Sequence, residues 1–417
     1  MEQHCLFGNY TPYHWDLEID EGMRLQAELL QWRQQAPAHL NLRLEDPVRP
    51  LEERTPLEAS WFAWEGLDER SKKLEDFLKR SRYPFVIVGE LSAQERPAVV
   101  GFLQAYRAPV YCEAISGLRE ALLPFSIRTV EGLWQRSRRC GYPIDGVIRL
   151  GGVPTCGLWR DLEVSRREIP LLSISSRSFP GASHGDGLFG PTSVLLSQQE
   201  LREKAAGSTP HRKCEAWLAE DRWLEARKGE LLMGYPRSEP SLVGQLSKLI
   251  PSEELLFLGN SLPIREWDLA ASYSHPHAKV WANRGINGID GQLSTFFGLC
   301  SGYERSWGLF GDLTTLYDMA APWALLDPRQ ELQPICVVMN NGGAKLFARF
   351  FEDADIQTLH QLSFSPLADF WHMNYLCLST LRAIGIEQLA APCLLEIRPD
   401  EEATQAFWKE YLADATA

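Results

Sequence analysis

The chain has no apolar run approaching the roughly 18 to 20 residues that span a bilayer, and its opening stretch, MEQHCLFGNY, has neither the basic nor the apolar region of a secretory leader. A cytoplasmic location without a membrane span is the expectation. Positive charge is also in short supply: 42 Lys and Arg stand against 55 Asp and Glu, a net charge of -13, which argues against a nucleic-acid partner. The nine cysteines are an odd number without a CxxC pair, and Cys336 lies within the apolar run PICVVMN. They read as reduced core residues rather than a zinc site or a disulfide framework. Histidine is sparse as well. His275 and His277 in SHPH, and His184 near Asp186 in SHGDG, fall in Pro- and Gly-rich stretches and read as solvated loops rather than metal ligands.

What the chain does have is length and apolar content. With 417 residues at 45% hydrophobic it exceeds one ordinary core and should divide into two or three domains. Residues 1–55 hold an irregular aromatic stretch (HCLFGNYTPYHWDLEI), a helical segment (MRLQAELLQWRQQ) and a short strand (AHLNLRL). So few elements cannot bury a core, so this segment either packs on something else or is the end of a domain. Residues 56–235 form a middle α/β domain, in which the apolar runs YPFVIVGE, APVYCEA, DGVIRLGG and PLLSISS alternate with helical segments. The Gly151-Gly152 pair after VIRL reads as a tight turn rather than a phosphate loop. The charged helix HRKCEAWLAEDRWLEARKGELLMG and the connection YPRSEPS close this domain, and a second strand-helix series fills residues 236–417. The fold class is therefore α/β with doubly wound parallel sheets, whose ligands lie beyond the strand C-termini.

In that last series polar residues interrupt the chain just where each buried strand ends, in GNSLPIR, NRGINGIDG, GDL and MNNGG. The topology makes such turns converge, so Asn260, Ser261, Arg265, Arg284, Asp312 and Asn340 are candidates for one site. Asp312 closes one strand and Asn340, 28 residues on, closes another. A carboxylate, an amide oxygen and a loop carbonyl are hard ligands suited to Mg²⁺, and the helix starting at Leu313 directs N–H groups toward an anion.

The stretch from Asp312 to Asn340 resembles the diphosphate- and metal-binding motif of thiamine-diphosphate enzymes. NS-x3-R, NRG-x2-GIDG and LFGDLTTLYD together resemble the 2-succinyl-5-enolpyruvyl-6-hydroxy-3-cyclohexene-1-carboxylate synthase family, densely from about 254 to 347 and again in APAHLNLRLEDPVRPL. The resemblance implies a thiamine-diphosphate-binding fold whose residues 1–55 are the remnant of an N-terminal pyrimidine-binding domain, followed by the middle domain and a C-terminal diphosphate-binding domain. It implies thiamine diphosphate with Mg²⁺ or Mn²⁺, the metal held by Asp312, Asn340 and the Gly342 carbonyl, although Met339 stands where a first Asn is usual. Asn260, Gly288, Gly311 and Leu313 would contact the cofactor, and Ile289 would lie beneath it and bend it. Arg265 and Arg284, with Ser261, would bind the carboxylates of 2-oxoglutarate and isochorismate in menaquinone biosynthesis.

The family's activating glutamate has no match in residues 1–55, so an inactive or impaired chain, or one completed by a separate N-terminal polypeptide, is an expectation. A homo-oligomer, dimer or tetramer, is another. The chain departs from the family pattern at Cys156 and Gly157, where a basic residue is usual and Arg160 is the nearest substitute, and in NGGAKLF, one residue longer than usual. FEDADIQTLHQLSFSPLADFWHMNYL reads as irregular. Two alternatives stand beside the main reading: a non-catalytic cofactor-binding scaffold, and an acetolactate-synthase-like carboligase, against which the two arginines speak.

Overall fold

Apolar runs of four to six residues set the architecture. The computed structural model describes residues 13–18, 38–43 and 67–416, except 122, 177–180, 191, 193–195, 197–202, 204, 207–213, 285–286, 330, 349–356 and 382–384. The chain divides into two compact units, Met1–Leu67 and Asp68–Ala417. In the first, β1 (Tyr13–Glu18) pairs in parallel with β2 (Ala38–Arg43). β1 lies in the stretch read as irregular, and that reading is corrected: Tyr, Trp and Leu in YHWDLE favour an extended backbone. The helix read from MRLQAELLQWRQQ lies outside the described residues.

The second unit carries two parallel sheets. In the first, β3 (Pro84–Val88), β4 (Val110–Cys112), β5 (Gly146–Leu150), β6 (Leu171–Ser175) and β7 (Asp186–Phe189) are ordered β4-β3-β5-β6-β7. Every pairing is parallel. Each residue of β3 through β6 is buried, as expected of strands covered by helices on both faces. One face packs Val86, Val88, Ile148 and Ile174 against Val99, Phe102 and Leu103 of the Arg96–Tyr106 helix. The other packs Phe85, Ile87 and Val147 against Leu158, Trp159, Leu162 and Trp217. The strand order reverses between β3 and β5, where a doubly wound sheet usually opens a crevice. Here the backbones close on each other: Gly152 N–H donates to the Glu90 carbonyl at 2.8 Å. Gly151, at φ +82°, could not carry a side chain, because a Cβ would lie 2.3 Å from the Glu90 oxygen. The glycine pair is a packing turn.

The second sheet holds β8 (Leu255–Leu258), β9 (Val280–Trp281), β10 (Ser306–Gly311), β11 (Pro334–Met339), β12 (Asn374–Leu378) and β13 (Cys393–Ile397), in the order β12-β13-β11-β10-β8-β9. All its pairings are parallel too. YPRSEPS is not merely a connection. Ser238 caps the Glu239–Leu249 helix, its Oγ accepting from Ser241 N–H at 3.4 Å, with Pro240 in the first turn. The segment read as irregular, which ends at Leu376, contains the Ser365–Phe370 helix and the start of β12, a further correction.

None of the eight described cysteines is in a disulfide; six are buried, Cys140 is half-buried and Cys377 is exposed. His277 is buried rather than solvated. Its Nε2 and that of His275 lie 2.9 Å from the carbonyls of Ser247 and Ile250, where the Glu239–Leu249 helix ends. No helix among the described residues is long and apolar enough to cross a membrane.

Candidate active site

From β8 the chain runs to β9 on one side and then returns to β10 on the other, so the sheet's crevice opens beyond β8 and β10. Asn260, Asp312 and Asn340 follow the ends of β8, β10 and β11, which are consecutive neighbours in the sheet. Gly259 N–H donates to the Leu309 carbonyl at 2.8 Å, and Gly311 pairs with Met339, so all three residues leave the sheet at one level.

Asn260, 1% exposed, organises the first group. Its N–H donates to Gln292 Oε1 and its Nδ2 to the Gly288 carbonyl, both at 2.7 Å. Its Oδ1 accepts from Arg284 Nη1. Arg284 also donates from Nη2 to Asn287 Oδ1 at 2.9 Å, while Gln292 Nε2 holds the Gly288 carbonyl at 2.8 Å. The loop carrying half-buried Ile289 is thereby tied to the end of β8. Ser261 sits at φ +73°, a strained conformation for a residue with a side chain, and its carbonyl accepts from Arg265 Nη1 at 2.6 Å. Burial lowers the pKa of both guanidinium groups, and for Arg265 the charge of Arg284 adds to the effect. Asn287 and Gln292 were not among the sequence candidates. Their signal was present in the NRGINGIDGQ string itself.

The second group surrounds Asp312, 2% exposed. Oδ1 accepts from its own neighbour, Leu313 N–H, at 2.7 Å, and Oδ2 from Gly342 and Gly343 N–H at 2.8 and 3.0 Å. His360 Nε2 lies 3.2 Å from the same oxygen. Burial raises the pKa of this carboxyl, against the pull of the Leu313 N–H, His360 and the glycine amides. The Leu313 N–H is therefore taken by Asp312 instead of pointing freely at an anion, and the Gly342 carbonyl already accepts from His360 N–H at 3.0 Å. Asn340 donates from Nδ2 to the Leu362 carbonyl and to Glu396 Oε1, each at 2.8 Å, which leaves Oδ1 as the acceptor on that side chain. Asn341, missed from sequence, donates to both oxygens of Glu239 at 3.0 Å, and its Oδ1 is buried with no hydrogen-bond partner among the described residues.

No group of three or more His, Cys, Asp or Glu suited to a metal occurs among the described residues. The donors here are instead one carboxylate, amide oxygens and a carbonyl beside an orphaned buried acceptor, a set that fits a hard divalent cation. Asn340, Gly342, Lys345, His360 and Arg398 line an adjoining cleft of about 670 Å³. A second cleft, of about 620 Å³, brings Arg265, Asp268 and Asn287 together with Thr155, Cys156 and Arg160 from the loop and helix after β5. Cys156, at the position where a basic residue was expected, is buried, whereas Arg160 is exposed on the following turn.

No family model matches the chain. It is 36% identical over 430 residues to the 2-succinyl-5-enolpyruvyl-6-hydroxy-3-cyclohexene-1-carboxylate synthase of Bdellovibrio bacteriovorus, covering 99% of this chain and 77% of that protein. It is 34% identical over 431 residues to the synthase of the same name from Akkermansia muciniphila, covering 97% and 76%. The solved structure of a thiamin diphosphate-dependent enzyme from Mycobacterium smegmatis matches with a TM-score of 0.60 at 17% identity, over 92% of this chain and 75% of that one, a likeness of fold.

Proposed function

Because the chain belongs to the 2-succinyl-5-enolpyruvyl-6-hydroxy-3-cyclohexene-1-carboxylate synthase family, we propose that it takes part in the thiamine-diphosphate-dependent decarboxylation of 2-oxoglutarate and the addition of the resulting four-carbon unit to isochorismate, a step of menaquinone biosynthesis. The observation that carries this reading is the partly buried pair Arg265 and Arg284, fixed by backbone and amide oxygens at the mouth of the β8–β10 crevice. Two guanidinium forks suit dicarboxylate substrates, whereas an acetolactate-synthase-like enzyme acts on small monocarboxylates. Ser261 adds a hydrogen-bonding group beside them. When bound, thiamine diphosphate supplies the electron sink for decarboxylation.

Asp312, Asn340 and Gly342 would hold Mg²⁺ or Mn²⁺, with Gly311 and Leu313 alongside the diphosphate and Asn260, Gly288 and Ile289 beside the rings. The unpartnered Oδ1 of Asn341 favours a second candidate for the amide ligand. In this reading residues 1–55 end a pyrimidine-binding domain, residues 56–235 form the middle domain and residues 236–417 the diphosphate- and metal-binding domain. The enzyme works in the cytoplasm as a homo-oligomer, to which the exposed Tyr317, Trp323 and Phe370 contribute apolar surface. The chain spans about three quarters of the length of the two synthases it matches. Calorimetry tests the cofactor site. Thiamine diphosphate should bind only with the metal present and should not bind Asp312→Ala; equal binding by that variant refutes the assignment. Comparison of Asn340→Ala with Asn341→Ala identifies the amide ligand.

A further inference from the structure

A pair of buried acids behind the two arginines has no part in the chemistry described above. Glu113 follows β4 and is fully buried. Its Oε1 accepts from the N–H and hydroxyl of Thr155, the latter at 2.8 Å, and from Cys156 N–H at 3.1 Å. Its Oε2 is buried with no hydrogen-bond partner among the described residues. Asp268, 5% exposed, lies one helical turn after Arg265 on the Leu262–Ala270 helix. Its Oδ1 accepts from Ala114 N–H at 2.7 Å, and its Oδ2 lies 3.5 Å from the Thr155 hydroxyl. Thr155 thus stands between two carboxyl groups with one hydrogen to donate. The chain is complete only when one acid is protonated: Asp268 then donates to Thr155 Oγ1, and Thr155 donates to Glu113.

The charges around the pair supply a reason to move that proton. Arg119 faces Asp268 but is matched by Glu120 at 2.9 Å and stacks on the Tyr273 ring; Tyr111 and Cys156 are packed here as well, and the charge of Glu90 acts on Arg284. Arg265 and Arg284 remain, and the Glu113 charge is the leading attraction acting on each. Burial raises the pKa of both acids, and for Asp268 the neighbouring Glu113 raises it further. Thr155, Asp268, Arg265 and Asn287 line the same cleft.

We propose that Glu113 and Asp268, bridged by Thr155, are a positioning pair that balances the Arg265–Arg284 charge in the empty cleft and takes up a proton when a dicarboxylate docks on the arginines. The carboxylates of the ligand then replace the charge that the pair gives up. This rests on the assignment of the two arginines to substrate.

The test is calorimetric titration of the full chain with 2-oxoglutarate, without thiamine diphosphate so that nothing reacts, in buffers of differing ionisation enthalpy. Apparent enthalpy should vary with the buffer, reporting an uptake of roughly half to one proton per ligand between about pH 8 and about pH 9, where Asp268, pushed up to about 8, is still half or more ionised in the empty cleft. In Asp268→Asn, and independently in Glu113→Gln, binding should persist while the buffer dependence falls toward zero. A merely structural role would not produce that change. Binding by the wild-type chain without buffer dependence, or with the same dependence in both variants, overturns the proposal and leaves the arginines in place. Absence of any binding overturns the arginine assignment and the coupling with it.

Discussion

Glu396→Gln exchanges one oxygen for an amide nitrogen in a fully buried position of β13, where every neighbour of the side chain is a donor. Oε1 accepts from Asn340 Nδ2 at 2.8 Å and Arg398 Nε at 2.5 Å; Oε2 accepts from Phe364 N–H at 2.9 Å and the Tyr375 hydroxyl at 2.7 Å. Glutamine cannot satisfy all four. With its oxygen toward Asn340 and Arg398, its NH₂ meets the Phe364 N–H, which has nowhere to turn, while the Tyr375 hydroxyl can rotate to accept. The reverse orientation sets the NH₂ against two donors that cannot accept. The better arrangement leaves one buried N–H unsatisfied, at about 1 to 3 kcal/mol, and replaces charge-assisted bonds by neutral ones, at about 1 kcal/mol each. Arg398 is 46% exposed and screened, so its share is left out. The sum is about 2 to 5 kcal/mol. Because a chain of several domains need not unfold in one step, the assay is hydrogen exchange at the Phe364 amide beside calorimetric metal affinity. Exchange at Phe364 should speed by at least tenfold, and metal-dependent cofactor binding should weaken modestly as the charged anchor of Asn340 becomes a neutral one. Unchanged protection together with unchanged metal affinity would refute the reasoning.

Replacing Arg265 or Arg284 by Met keeps the packing of the stem but removes charge-assisted bonds worth about 1.5 to 3 kcal/mol each, so dicarboxylate affinity should fall at least tenfold with little change in melting temperature. A large loss of stability with affinity preserved would make them structural. Asp221 accepts from Arg128 and Thr129 N–H at 2.8 and 3.1 Å, and burial pushes its carboxyl from an ordinary 3.8 up to about 6. The folded state holds this proton more tightly than the unfolded chain, so its contribution is present at low pH and lost as pH rises through that interval. Relative to Asp221→Asn, the wild type should lose up to about 3 kcal/mol between about pH 4 and about pH 6; a flat difference in thermal stability would contradict the shift.

Sequence patterns revealed strands where burial is continuous and hid them where it is not. VIV of β3, VIRL of β5 and CVVM of β11 are buried at every position, so their apolar runs stand out. β7 and β12 are edge strands with partly exposed residues, DGLF and NYLCL, and their composition does not separate them from loop. The same logic applies to the site. Asn260, Asp312 and Asn340 were legible because a polar residue at the end of a buried run marks a strand C-terminus. Glu113, Asp268, Asn341 and Glu396 were not, because the element that holds each carboxylate or amide is distant in sequence: Thr155 for Glu113, Ala114 for Asp268, Glu239 for Asn341, and Asn340 with Phe364 for Glu396. One trace was nevertheless visible. In CLLEIRP a single Glu interrupts a run that is otherwise apolar, and a charge inside a buried parallel strand must be met by several donors or the strand would not form there. Such a residue therefore predicts a polar network before its partners are known, and here that network holds a candidate metal ligand.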